Sequence, residues 1–128
     1  MSGTDCRTHP HVAFLEREPA HHAALRELFR DHARIDVFTD ADSLINSSNR
    51  PTLIACGCGA WDDLERLRPL STQTPMIVYS QQGAISQAVL SMRLGARDYL
   101  DHIRLDSSFR CRVLAHCSAN IPVRGRAA

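Results

Sequence analysis

The sequence predicts a three-layer α/β fold: a five-stranded parallel sheet with helices on both faces. Three observations lead there. Five short apolar runs recur along the chain, each closed by a turn signal or a charge. Segments with apolar residues at helical spacing separate them, so strand and helix alternate five times. The length, 128 residues, suits one domain built on one core.

Taken in order, residues 1–10 are polar and end in Pro10, a loose lead-in. HVAFLE (11–16) is an apolar run closed by charge and reads as a buried strand. Glu18-Pro19 opens a helix over about 20–31, because proline is tolerated at a helix start. Ala24, Leu25, Leu28 and Phe29 give that helix one apolar face. RIDVF (34–38) is a second strand. Asp40 then caps a helix over about 41–47, which SSNRP breaks. TLIACG (52–57) is a third, fully apolar strand. Asp62 and Asp63 suit the positive end of the next helix, and Leu64 and Leu67 form its inner face. PMIVYS (75–80) is the fourth strand. Residues 84–94 are helical, with Ile85, Val89 and Met92 as candidate core, and Gly95 ends them. RDYL (97–100) is a short fifth strand. Asp106 or Ser107 caps a last helix with Phe109, Val113 and Cys117 on one face. Parallel strands need right-handed crossovers, which leaves the doubly wound, flavodoxin-like order 2-1-3-4-5 as the leading topology. The domain spans 11–119, and 120–128, which holds IPVRGRAA, reads as a tail or as a linker that would suit an effector domain beyond residue 128.

Composition narrows the function. A net charge of +1 excludes a strongly basic body that wraps nucleic acid by charge alone. No apolar run is long enough to span a bilayer, and the polar N-terminus lacks a signal peptide's apolar segment. A cytoplasmic location is therefore expected, with Cys6, Cys56, Cys58, Cys111 and Cys117 reduced.

Four segments carry a resemblance. Leu15-Glu16-Arg17-Glu18-Pro19 looks like the acidic-pair segment after a first strand. Pro51-Thr52-Leu53-Ile54-Ala55-Cys56-Gly57 looks like a strand that ends on a phosphorylated aspartate. Thr74-Pro75-Met76-Ile77-Val78-Tyr79-Ser80 is similar to a strand that ends on a hydroxyl residue. Gly95-Ala96-Arg97-Asp98-Tyr99-Leu100 matches the segment before a lysine. In this order they resemble the receiver domain of bacterial two-component response regulators, the CheY-like fold, over about residues 11–118.

The resemblance implies a pocket of five groups at the carboxyl ends of the strands. Two acidic residues and the acceptor aspartate hold Mg²⁺. The acceptor carboxylate attacks a phosphoryl donor. A lysine and a hydroxyl stabilise the phosphoryl oxygens. Matched position by position, the first acid is Glu16 and the second is Arg17, a reversal of sign. The acceptor is Gly57, with no nucleophile. The hydroxyl is Ser80, the lysine is His102, and Ile103 stands for the proline that commonly follows. The aromatic that moves on activation is Tyr99. A slip of two residues in the first strand would instead offer Glu18 as the second carboxylate.

Other constellations have bland readings. Cys56-Gly57-Cys58 places two thiols on one side of a strand. A structural zinc site needs four ligands, however, and no second pair is present. His21-His22 reads as surface, His9 and His11 as incidental, and His116 as a partner of a helix dipole. Ser80, His102 and Glu16 could suggest a hydrolytic triad, but no strained G-x-S-x-G turn carries Ser80. An Arg17/His102/Ser80 pocket could bind a small anion or nucleotide.

The resulting expectation is a pseudo-receiver of a bacterial signalling or transcription regulator. It is not an enzyme, needs no cofactor or metal, and acts through protein contacts or dimerisation. A ligand-sensing domain is the alternative. The expected contact face is helix 4, strand 5 and helix 5, with Ile85, Val89, Met92, Arg93, Arg97, Asp98 and Arg110 as candidates. An Arg–Asp mixture there would let a twofold dimer complement itself. Direct nucleic-acid or membrane binding by this domain is not expected.

Overall fold

The computed structural model describes residues 9–47, 50–59 and 61–119. Most of the lead-in, Cys6 and the tail 120–128 lie outside them. The strands are β1 (His11–Leu15), β2 (Arg34–Phe38), β3 (Leu53–Gly57), β4 (Met76–Tyr79) and β5 (Asp98–Leu100). The helices are α1 (Pro19–Phe29), α2 (Ala41–Ile45), α3 (Trp61–Leu67), α4 (Ile85–Arg93) and α5 (Ser107–Ala119). The sheet order is β2-β1-β3-β4-β5 and every pairing is parallel, which is the expected flavodoxin-like topology. Among the described residues no helix is long and apolar enough to cross a membrane.

Alternation along the central strands feeds two cores. Val12, Phe14, Leu53, Ala55, Ile77 and Tyr79 face Leu25, Phe29, Phe109 and Val113. Ala13, Leu15, Ile54, Cys56, Met76 and Val78 face Leu44, Leu64 and Leu67. The first core is aromatic, with the Phe14 and Phe29 ring centres 5.3 Å apart and those of Tyr79 and Phe109 5.1 Å apart. Both faces of the sheet are therefore dry, which is why its strands read as apolar runs.

Caps behave as the sequence indicates. Asp40 accepts from the Ser43 amide at 2.8 Å, and Asp106 accepts from the Phe109 amide at 3.2 Å. Gly95 ends α4 with φ +103°, and a Cβ there would lie 2.7 Å from Ser71 Oγ. Three expectations change. Ala24 is exposed, so α1 packs through Leu25 and Phe29 alone, with Leu28 at the margin. A 3-10 helix, Arg68–Thr72, follows α3 where no element was expected. Most important, α4 does not bury the residues its periodicity nominates. Ile85 is 85 % exposed, Val89 47 % and Met92 49 %. The helix instead turns Ser91 inward, its hydroxyl donating to the Gln87 carbonyl at 2.8 Å. Leu94, just past the helix end, supplies the apolar anchor.

Candidate functional site

The carboxyl ends of β1, β3 and β4 meet in a cleft of about 100 Å³ lined by Glu16, His21, Gly57, Cys58, Tyr79 and Ser80, with Ile103 and Leu105 at one wall. Glu16 follows β1 directly and is buried. One carboxylate oxygen accepts from the Tyr79 hydroxyl at 2.6 Å. The other accepts from the Glu18 amide at 3.1 Å and lies 3.2 Å from His21 Nδ1. His22 Nε2 donates to the Glu16 carbonyl at 2.7 Å. Thus the histidine pair read as surface holds Glu16 through both its side chain and its backbone.

Gly57 pairs with Tyr79 across β3 and β4. A Cβ at Gly57 would lie 3.1 Å from Glu16 Oε1 and 3.4 Å from the Tyr79 hydroxyl. A side chain at Gly57 would thus press on the Tyr79–Glu16 hydrogen bond. Burial, then the charge of Glu16 and the bond to it, push the Tyr79 phenol well above its usual pKa, so it stays a proton donor. Sequence reasoning missed Tyr79. A signal existed: a tyrosine on a buried strand needs a partner for its hydroxyl, and Glu16 is the carboxylate at that end of the sheet.

Arg17 lies at the outer rim of the cleft with Glu18 and Gln81. Its guanidinium donates to Asp63 Oδ2 at 2.6 Å. Asp63, expected as a dipole partner, is buried and also accepts from the Ala41 amide at 3.3 Å. It ties α3 to α2 and to the loop after β1. Ser80 is buried, and its hydroxyl accepts from the Gln82 amide at 3.1 Å. His102 lies at the same end of the sheet but does not line the cleft. Its backbone is left-handed, with φ 51°. Its side chain is 73 % exposed and rests over Gly83, where a Cβ would meet the ring at 2.8 Å. Consequently neither a Ser80/His102/Glu16 triad nor an Arg17/His102/Ser80 anion pocket is assembled.

Tyr99 is half-buried and donates to Gln87 Oε1 at 2.7 Å. It is latched to α4. Cys56 is fully buried, and burial pushes its thiol pKa up. Cys58 is half-buried at the cleft; burial raises its pKa too, against the lowering effect of Ser80. Neither thiol is a thiolate near neutral pH.

Mg²⁺ does not fit this donor set. The ion demands near-octahedral oxygen coordination, commonly with one or two carboxylates. The cleft offers Glu16 alone, and both of its oxygens already accept from protein donors. Glu18, the alternative carboxylate, is exposed at the rim.

Among the interface candidates, Ile85, Val89, Met92, Arg93 and Arg97 are exposed. Asp98 is engaged within the chain: its Oδ2 lies 2.9 Å from His116 Nε2. Arg110 also departs from the expected face. It donates to the Leu28 carbonyl at 3.3 Å and so points toward α1.

No family model matches the sequence, and no curated protein matches it. Solved structures do. A CheY-like response regulator receiver domain protein from Methanospirillum hungatei superposes with a TM-score of 0.74 at 11% identity, covering 88% of this chain and 97% of that one. A response regulator from Thermotoga maritima gives 0.69 at 20% identity, over 86% and 98% of the two chains. NtrX from Brucella abortus gives 0.76 at 16% identity, covering 88% of this chain and 28% of that one. The chain has the receiver fold of bacterial response regulators.

Proposed function

We propose that this chain is a phosphorylation-independent receiver-like module of a bacterial signalling or transcription regulator, acting through protein contacts and not as an enzyme. The observation that carries the reading is the Tyr79–Glu16 hydrogen bond beside Gly57, a residue with no nucleophile. Where the resemblance calls for a nucleophilic carboxylate, a Tyr79 hydroxyl sits on Glu16 instead. Arg17 is committed to Asp63 and His102 stands outside the cleft. The groups that would bind metal, accept phosphate and sense its arrival are thereby spoken for. The exposed apolar stripe of α4 supports contact through the α4–β5–α5 face. A sensing role for the altered pocket is less well supported, because the cations that would hold an anion are not gathered there.

Intact mass before and after incubation with acetyl phosphate and Mg²⁺ tests the proposal. The mass is expected to stay unchanged. A stable gain of one phosphoryl group, removed by mild base, would overturn it.

A further inference from the structure

The charge of this molecule is not evenly spread. Residues 1–67 carry seven arginines and eleven acidic residues. From Arg68 to the end of α5 there are six arginines and three acidic residues. Two of those three, Asp98 and Asp106, have hydrogen-bond partners within the chain. Asp98 faces His116, Asp101 lies beside His102, and Asp106 caps α5. Against this basic ground stands the apolar stripe of α4. Ile85, Val89 and Met92 follow one another at helical spacing, and Arg93, four residues after Val89, lies on the same helical face. Arg97 immediately precedes β5, against which α4 packs. On α5, Arg112 is four residues before His116, whose ring reaches β5, so Arg112 borders the same edge of the sheet. Arg93, Arg97 and Arg112 are exposed, and among the described residues none has an acidic partner.

The geometry points to an acidic protein partner for this face: a segment that sets apolar side chains on the Ile85–Val89–Met92 stripe and carboxylates on Arg93, Arg97 and Arg112. The inference rests on the protein-contact reading above and names the partner's chemistry. A second copy fits poorly. In a twofold contact each patch meets itself, and here Arg93, Arg97 and Arg112 would meet their own copies, with the half-exposed Asp98, bonded to His116, set against the three. Like charges placed together at an interface are costly and select against that pairing. An anionic membrane would satisfy the arginines, yet the stripe holds no tryptophan or phenylalanine to enter the headgroup layer.

The protein itself supplies a probe. In Arg93→Glu/Arg97→Glu the same apolar stripe carries an acidic rim, so the variant offers wild type a partner of the required chemistry. Sedimentation of each protein alone and of an equimolar mixture, up to high micromolar concentration, reads the outcome. The expected result is that wild type alone stays monomeric and the mixture approaches twice the monomer mass. Val89→Asp in the wild-type partner should abolish this association. A wild type that dimerises alone and loses the dimer in Val89→Asp would overturn the inference in favour of a second copy. A mixture that stays monomeric would overturn it as well. So would binding of wild type, lost in Arg93→Glu/Arg97→Glu, to phosphatidylglycerol vesicles. Phosphoryl uptake is read separately by mass, so the functional reading and this inference can fail independently.

Discussion

At the scale of single residues, the Tyr79 hydroxyl does the work that sequence comparison could not see. It gives a buried carboxylate a donor and lies within contact distance of a Cβ at Gly57. Removing one donor from a buried carboxylate costs about 1–3 kcal/mol. Tyr79→Phe is therefore expected to lower the unfolding free energy measured in urea by an amount in that range, with the fold intact by circular dichroism. Gly57→Ala pushes a methyl against Glu16 Oε1 and should cost about 1 kcal/mol. Gly57→Asp is expected to fail to restore phosphoryl uptake, since the new carboxylate would face Glu16 and find no metal. Intact mass checks this. Glu16, Ser80 and Gly57 were legible from strand ends because the carboxyl edge of a parallel sheet places them together. His102 was not, because a left-handed backbone swings its side chain off the line that spacing predicts.

Individual elements were legible to differing degrees, and α4 shows why. Its apolar residues recur at helical spacing, but periodicity reports that a stripe exists and not which way it faces. The helix buries Ser91 and exposes the stripe because Gly95, pressed on Ser71, and Leu94 orient its end. In α5 the inward face was legible, since Phe109, Val113 and Cys117 are all buried. Two predictions belong here. Ile85→Ser removes a side chain that touches little, and should change stability by no more than about 0.5 kcal/mol. A larger loss in the urea midpoint would mean that Ile85 packs inside the domain. Asp106→Ala removes the α5 cap and should cost about 1 kcal/mol, read the same way.

For the whole molecule, topology was the most readable property. Alternating elements and the handedness of crossovers leave few arrangements, and β2-β1-β3-β4-β5 is among them. The global stability should be alkali-sensitive. Burial raises the Cys117 thiol from 9.0 to about 11 and pushes Cys56 up further. The unfolded chain thus releases protons in that window while the folded chain keeps them. The stability linked to these thiols is full below pH 9 and is lost as pH rises toward 11. Tyr79, also raised, adds a loss of the same sign above its usual value of 10. Urea midpoints should fall steadily from below pH 9 to pH 11, and Cys117→Ala should flatten the curve. A flat wild-type profile would contradict the burial of these groups.

The Tyr79–Glu16 bond also sets the order in which this pocket could be rebuilt. Installing a carboxylate at Gly57 first crowds the phenol and sets two negative groups side by side. Replacing Tyr79 first strips Glu16 of its donor. Each single step is uphill, and making both relieves the crowding that Gly57→Asp alone creates, so the two positions form an epistatic lock. A double-mutant cycle on Gly57→Asp and Tyr79→Thr should show a coupling of about 1 kcal/mol or more. Simple additivity would show that the lock is open and that a single substitution could lead back.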